Sequence, residues 1–250
     1  MDYGIAGKRA LVIGASRGLG AATARALALE GVEVMAASRR GTAPASGIQG
    51  LAADLSDRDA VAALCDRLAR EPVDILVNNC GGPPPGVAQG QAPQAWLSAF
   101  EAMAVSTFSL TDAALPGMVA RGWGRIVTIG SSGILQPIPS LALSNGVRGA
   151  VAGWSKTLAE EVAAKGITVN MVLPGRIATD RVGELDAARA QKTGQPIEEV
   201  ESAARATIPA GRYGRPEEFA AACAFLCSQA ASYITGSMIR VDGGMIRGLG

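Results

Sequence analysis

One segment near the amino terminus, Arg9-Ala10-Leu11-Val12-Ile13-Gly14-Ala15-Ser16-Arg17-Gly18-Leu19-Gly20, carries the clearest structural pattern in the chain. Its first half is apolar and does not alternate with polar residues, which is typical of a strand buried on both faces. The glycines that follow turn the chain sharply into residues 21–27, a run of good helix formers. The segment therefore predicts a strand, a tight turn and a helix.

The glycines of this turn also indicate a possible ligand. Because Gly14, Gly18 and Gly20 lack a Cβ atom, backbone N–H groups at the positive end of the helix can approach a pyrophosphate closely. The spacing is Gly-x-x-x-Gly-x-Gly, whereas the usual dinucleotide fingerprint is Gly-x-Gly-x-x-Gly. Taken alone, the pattern fits a plain turn at the start of a helix equally well.

Length and charge limit the classes of protein that the chain can represent. With 250 residues and 48% hydrophobic content, it can bury a substantial core, and we expect a single domain over residues 1–250. The net charge is +1, and no basic run offers a surface for nucleic acid or for a membrane. The apolar stretches are far shorter than the roughly 20 residues that span a bilayer, and residues 1–4 lack a signal-peptide pattern. We therefore expect a cytoplasmic protein.

The sequence contains no histidine. This excludes Ser-His and Cys-His nucleophile pairs, histidine acid–base catalysis and most zinc sites. Of the four cysteines, Cys223 and Cys227 lie four residues apart in a helical run. We interpret them as small apolar side chains on one buried face, and we predict no metal site.

Strand and helix patterns alternate along the rest of the chain. Further strands are predicted at residues 32–37, 48–53, 73–77, 124–130, 167–173 and 238–241. Helices are predicted at residues 94–120, 140–164 and 217–228, and Ser56 is the predicted cap of another. The polar segment 176–208 predicts one or two helices that form a lid over the sheet. This alternation predicts an α/β fold with a doubly wound parallel sheet.

The residues after the second strand bear on the choice of cofactor. In such folds an acidic residue there receives the ribose 2′-hydroxyl of NAD, whereas arginine pairs with the 2′-phosphate of NADP. Here the residues are Arg39 and Arg40, and Arg17 in the glycine turn is a third candidate. The sequence therefore favours NADP(H) over NAD(H), although arginines in a solvated loop remain an alternative.

Six motifs follow one another along the chain: Gly14-Ala-Ser-Arg-Gly18-Leu-Gly20, Asp54-Leu55, Asn78-Asn79-Cys80-Gly81, Gly124-Arg-Ile-Val-Thr-Ile-Gly130-Ser131, Pro174-Gly175 and Val241-Asp242-Gly243-Gly244. Together they resemble those of the short-chain dehydrogenase/reductase family, and most nearly its 3-oxoacyl-(acyl-carrier-protein) reductases. The resemblance implies a single-domain Rossmann-like sheet of seven parallel strands with helices on both faces. It also implies NADP(H), a small-molecule substrate such as an acyl thioester, and a homotetramer. The cofactor contacts that we predict on this basis are Gly14, Ser16, Arg17, Gly18, Leu19, Gly20, Arg39, Arg40, Asp54, Leu55, Asn79, Cys80, Gly81, Arg148, Pro174 and Gly175.

The catalytic residues of the resembled family transfer only in part. Members reduce a carbonyl with an asparagine, a serine, a tyrosine and a lysine. In this chain the serine matches Ser131, but the other three places fall on Met103, Ser144 and Arg148. The alignment is anchored by Gly153-Trp-Ser-Lys156, where the family has Gly-Phe-Ser-Lys. Three of the four catalytic positions have therefore changed.

These changes remove the usual proton donor. A serine alcohol is a far weaker acid than a phenol, and Ser144 is shorter than tyrosine by a whole ring. A guanidinium at position 148 can stabilise an anion but does not release a proton. Water, Ser132, Ser144 or Asn145 could relay one, and Tyr213 is a candidate for a relocated phenol. Purely structural roles are also open, with Met103 in the core and Ser144-Asn145 as a helix cap.

Two functional hypotheses follow from the sequence. The first is an NADP(H)-dependent oxidoreductase that acts on a carbonyl or alcohol substrate with an atypical site, in which Ser131, Ser144, Asn145 and Arg148 are the catalytic candidates. The second is a nucleotide-binding protein without redox chemistry, either a pseudoenzyme or a lyase or isomerase that uses the altered pocket.

Overall fold

The computed structural model describes residues 2–248. Its strands are β1 (Arg9–Ile13), β2 (Glu33–Ser38), β3 (Gln49–Ala52), β4 (Ile75–Asn78), β5 (Gly124–Ile129), β6 (Ile167–Pro174) and β7 (Met238–Val241). They form one sheet in the order β3-β2-β1-β4-β5-β6-β7, and every neighbouring pair is parallel. The predicted single-domain Rossmann-like fold with seven strands is confirmed.

Over residues 2–248, eight α-helices connect or follow these strands. They are α1 (Gly18–Leu29), α2 (Arg58–Arg70), α3 (Pro93–Phe100), α4 (Ser106–Arg121), α5 (Ala142–Ala163), α6 (Asp180–Thr193), α7 (Ile197–Ala206) and α8 (Pro216–Leu226). Helices α1 and α8 pack on one face of the sheet, while α2, α4 and α5 contribute to the core on the other. Within residues 2–248, no helix is both long enough and apolar enough to cross a membrane.

The core lies on both faces of the sheet because the central strands are buried throughout. In β1, Ala10 and Val12 join the core under α1 and α8, and Leu11 and Ile13 join the opposite one. This explains why β1 shows no polar alternation in the sequence. Cys223 and Cys227 are fully buried in the first core, as predicted, and burial raises the pKa of the Cys223 thiol to about 12.

The predicted cap of α2 is wrong, and the open alternative of a cap at Ser144-Asn145 does not hold. The cap of α2 is Asp57, whose carboxylate accepts hydrogen bonds from the N–H groups of Asp59 at 2.9 Å and Ala60 at 3.4 Å. Ser56 instead donates its hydroxyl to Asp54. Helix α5 begins after Leu141, so Ser144 and Asn145 lie inside its first turn and do not cap it.

The helix predicted over residues 94–120 is interrupted. A π-helical segment, Glu101–Val105, lies between α3 and α4 and turns the chain through wider, i to i+5 spacing. Met103 lies in this segment and is buried against Leu143, Val147 and other apolar residues. The predicted role of Met103 in the core is therefore confirmed.

Candidate active site

A cleft of about 950 Å³ follows the carboxyl-terminal edge of the sheet. Parallel strands of this fold present their ligand sites at that edge, because the connections to the helices leave a crevice there. Helix α6 and the loop Pro83–Pro85 form parts of its wall. The structure brings these predicted site residues to the cleft: Gly14, Ser16, Arg17, Gly18, Leu19, Arg39, Asp54, Leu55, Asn79, Cys80, Gly81, Ser131, Ser144, Arg148, Pro174 and Gly175.

The glycine turn is shaped for close approach to a ligand. Gly14 has a φ of 63°, and a Cβ atom there would lie 2.6 Å from Nδ2 of Asn79. Asn79 donates from Nδ2 to the Gly14 carbonyl oxygen at 3.2 Å, which joins the ends of β1 and β4. Gly20 does not line the cleft, but a Cβ atom on it would collide with that same carbonyl oxygen. Its predicted contact with the cofactor is thus replaced by a packing role within the turn.

The amino end of α1 has unused hydrogen-bond donors. In the described part of the chain, no side chain caps this helix, and its first turn contains no acidic residue. Its N–H groups and positive dipole end are therefore available to an anion in the cleft. These residues fit the pyrophosphate of a dinucleotide.

The arginines predicted to hold a 2′-phosphate differ in their surroundings. Arg39 lines the cleft and, among residues 2–248, has no carboxylate within 4.0 Å. Arg40 is exposed and does not line the cleft, so only the first of the pair is placed for this role. The pKa of Asp54 is lowered by the N–H and hydroxyl of Ser56 and further by the Arg39 charge.

Arg148 occupies the inner end of the cleft. From its place in α5 it donates to the carbonyl oxygens of Ile129 at 3.1 Å, Gly130 at 3.2 Å and Cys80 at 3.4 Å. It also donates from Nε to Oγ of Ser144 at 3.3 Å. Within the described ranges this cation has no carboxylate partner at salt-bridge distance. These four hydrogen bonds leave its charge and at least one of its five N–H groups for a ligand.

The two serines face the same region. Oγ of Ser131 accepts the N–H of Gly133 at 3.1 Å, which leaves its own hydroxyl proton to donate to a ligand. Ser144 lies one turn before Arg148, and its hydroxyl is oriented by that guanidinium. Ser131, Ser144 and Arg148 therefore surround one end of the cleft.

Two predicted candidates for proton transfer are placed elsewhere. The amide of Asn145 donates to the carbonyl of Ile138 at 2.9 Å, accepts its N–H at 3.4 Å, and does not line the cleft. Tyr213 also lies outside the cleft lining, and its hydroxyl donates to Asp186 at 2.7 Å. Burial and this hydrogen bond raise the pKa of Tyr213. The structure thus argues against Tyr213 as a relocated acid.

Sequence reasoning missed the carboxylates of α6. Asp180 lies 3.7 Å and Glu184 lies 3.2 Å from Nη1 of Arg17, and both line the cleft. Their i, i+4 spacing places them on one helix face. The sequence alone gives no sign that this face meets the glycine turn.

Comparison with known proteins gives the family of the chain. Residues 14–246 match a sequence model described as "Enoyl-(Acyl carrier protein) reductase". The chain belongs to the short-chain dehydrogenase/reductase family. This membership agrees with the sheet order and with the glycine turn at the end of β1.

Relatives within the short-chain dehydrogenase/reductase family match over nearly the full chain. The 3-oxoacyl-(acyl-carrier-protein) reductases FabG of Vibrio cholerae and Escherichia coli are both 36% identical, and each alignment covers 96% of this chain and 97% of the relative. The crystal structure of L-sorbose reductase from Gluconobacter frateurii, complexed with NADPH and L-sorbose, has a TM-score of 0.92 at 31% identity, with both chains covered completely.

Proposed function

We propose that the protein is an NADP(H)-dependent oxidoreductase that acts on a carbonyl or alcohol substrate, similar to 3-oxoacyl reductases but with an atypical active site. The observation that carries this proposal is the single cleft that joins Arg39, the glycine turn and the Ser131–Arg148 end. A carbonyl substrate at that end would lie beside a nicotinamide held along the rest of the cleft. FabG relatives and the NADPH complex of L-sorbose reductase support the reaction class and the cofactor.

Different residues of the cleft would bind different parts of the cofactor. The N–H groups at the start of α1 would bind the pyrophosphate, and Arg39 would pair with the 2′-phosphate. Asn79, Cys80 and Gly81 at the end of β4, and Pro174 and Gly175 at the end of β6, would line the nicotinamide half. The bound cofactor supplies or accepts the hydride.

The chain's own part is to bind and stabilise the substrate oxygen. The Ser131 hydroxyl would donate a hydrogen bond to it, and the Arg148 guanidinium would stabilise its negative charge. Arg148 cannot deliver the proton, because a guanidinium does not deprotonate in proteins. The proton would come from water, relayed by Ser144, since Ser132 is buried and does not line the cleft. We expect slower turnover than with a phenol.

The second candidate is a nucleotide-binding member of the family without redox activity. It is favoured by the Arg148 guanidinium, which is largely occupied by carbonyl groups, and by the lining of the described cleft, which includes no tyrosine. A pseudoenzyme, or a lyase or isomerase that uses the space left by the ring, would keep the same cofactor contacts.

Further parts of the proposal concern the whole protein. Residues 176–208 would act as a lid, since α6 forms one wall of the cleft. The substrate would be a small molecule, and an acyl thioester is the first to test because of the FabG relatives. We also infer a cytoplasmic homotetramer that binds neither nucleic acid nor a membrane, on the basis of the family resemblance and the sequence composition.

The test first measures NADPH binding and then measures NADPH oxidation with candidate substrates. Purified protein is titrated with NADPH and then mixed with β-ketoacyl thioesters, ketones and quinones while NADPH absorbance is followed. The proposal expects binding, slow oxidation with at least one substrate, and a large loss in Ser131→Ala and in Arg148→Met. Binding without oxidation across the panel would favour the second candidate. Gain of activity in Ser144→Tyr combined with Arg148→Lys would show that the missing acid limits the reaction.

A further inference from the structure

Arg17 of the glycine turn is already paired with helix α6. Its Nη1 atom lies 3.2 Å from Oε1 of Glu184 and 3.7 Å from Oδ2 of Asp180, and Glu184 also lies 3.6 Å from Nη1 of Arg181. The side chains are half exposed, with 58% for Arg17 and 48% for Glu184. The mouth of the cleft therefore holds two cations and two anions whose charges cancel.

Arg39 provides the contrast. It lines the same cleft, but in the described part of the chain no carboxylate lies within 4.0 Å of it. The nearby Asp54 carboxylate is held by both the N–H and the hydroxyl of Ser56. Of the two cleft-lining arginines that the sequence offers for the 2′-phosphate, Arg39 is available to an anion and Arg17 is engaged by the lid.

A 2′-phosphate in this part of the cleft would compete with α6 for Arg17. An N–H group that points at Glu184 cannot also point at the phosphate, and carboxylates left beside a phosphate repel it. A 2′-hydroxyl carries no charge and would not compete. The pyrophosphate at the amino end of α1 is common to both nucleotides, so repulsion there affects both alike, and only the additional cost falls on NADP(H).

We propose that Glu184, assisted by Asp180, is a specificity-determining residue that weakens the binding of the 2′-phosphate by holding Arg17. This inference rests on the proposed function, since it requires that the cleft binds a nicotinamide nucleotide. The coupling acts in both directions, so a phosphate that takes Arg17 also releases the amino end of α6 from the glycine turn. The middle of α6 stays anchored, because buried Asp186 is held by Arg176 and Tyr213.

The experiment compares dissociation constants for NADP⁺ and NAD⁺ by titration calorimetry at low ionic strength. Glu184→Gln should raise the affinity for NADP⁺ relative to that for NAD⁺ about two- to fivefold, the range expected for an exposed ion pair. The matched control is Glu199→Gln, which removes the same charge from an exposed position on α7 outside the cleft lining. In an Arg17→Ala background the effect of Glu184→Gln should disappear, and added salt should reduce it.

Three outcomes would overturn the inference while the proposed function stands. They are an equal gain for NADP⁺ and NAD⁺, a gain no larger than that of Glu199→Gln, and a gain that persists without Arg17. A wild-type protein that binds neither nucleotide would instead overturn the proposed function, and this inference with it.

Discussion

Gly20 occupies a place where no larger side chain fits without movement of the backbone. A Cβ atom there would collide with the Gly14 carbonyl oxygen and lie 2.9 Å from Nδ2 of Asn79. Both groups belong to the junction between β1 and β4, on which the phosphate end of the cleft is built. Because Gly20 has no Cβ atom, α1 can begin directly beside this junction.

We predict that Gly20→Ala loosens this junction. The clash should lower the free energy of unfolding by about 1–3 kcal/mol, as overpacking does, and weaken NADPH binding at least tenfold. Urea denaturation and NADPH titration measure the two effects. Gly149→Ala is the control, because a Cβ atom on this exposed glycine of α5 has no neighbour within 4 Å among the described residues. It should stabilise the protein by about 0.5–1 kcal/mol, and a similar gain in Gly20→Ala would contradict the expected clash.

Tyr213→Phe tests whether that phenol has a structural or a chemical role. Loss of the hydrogen bond to Asp186 should cost about 1 kcal/mol of stability, because Asp186 is buried and, among residues 2–248, keeps only Arg176 as a side-chain partner. NADPH affinity and any turnover should stay within twofold of wild type. Thermal unfolding and steady-state kinetics provide the measurements. A large loss of turnover with unchanged stability would restore Tyr213 as an acid.

At the scale of elements, helix α8 shows how charged side chains fix a helix start. The Glu218 carboxylate accepts the N–H of Arg215 at 2.7 Å, which is one half of a capping box, and is held by the Arg212 guanidinium at 2.8 Å. These bonds lower the pKa of Glu218 to about 2, with Arg212 as the largest cause. Because α8 packs against α1, the same bonds support the helix that begins at the cleft.

The lowered pKa of Glu218 predicts a pH dependence of stability. The carboxyl has its ordinary pKa near 4.5 when unfolded, so its contribution is complete above that pH and is lost as the pH falls toward about 2. Glu218→Gln should therefore be less stable at neutral pH and should lose less stability over that acidic interval. Urea midpoints across the pH range measure this. Glu217→Gln, an exposed change in the same first turn, should follow wild type. Parallel curves for Glu218→Gln and wild type would refute the coupling.

For the molecule as a whole, the sheet is also fixed at the end opposite the cleft. Arg125, at the amino end of β5, is only 2% exposed and donates to the carbonyls of Ser228 at 3.1 Å and Gly166 at 3.3 Å. The Arg125 guanidinium lies 4.4 Å from the centre of the Trp123 ring, and Nζ of Lys8 lies 4.3 Å from the same ring centre. One side chain thereby connects β5 with the turns that precede β6 and follow α8.

Arg125→Met should destabilise this end of the sheet. The carbonyl of buried Ser228 loses its donor, so we expect a loss of roughly 1–3 kcal/mol in the free energy of unfolding. NADPH affinity should not change, since the cleft lies at the other edge. Arg25→Met, on the exposed face of α1, is the control and should have little effect. Equal or higher stability for Arg125→Met would show that the free-energy cost of burying the charge is at least as large as the stabilisation from its hydrogen bonds.

The sequence by itself determined the order of strands and helices, the glycine turn and, through the resemblance of its motifs, the family. Apolar runs such as residues 9–13 and the glycines at 14, 18 and 20 act through local backbone preference and burial, which can be derived from neighbouring residues alone. The family motifs also located Ser131 and Arg148. Local patterns gave the wrong boundary at two places. The cap of α2 is Asp57 and not Ser56, and a π-helical segment interrupts the helix predicted over residues 94–120.

Only the tertiary structure decided which charged and polar groups meet. Arg17 and Glu184 are 167 positions apart, and their contact exists because α6 folds back over the turn after β1. In the same way, Arg148 reaches both the carbonyl of Cys80, just after β4, and that of Ile129 in β5 only because these strands are neighbours in the sheet. The hydroxyl of Tyr213 is bound outside the cleft by Asp186, which belongs to α6 as Glu184 does. Such contacts depend on the packing of distant elements, to which the local sequence pattern gives no guide.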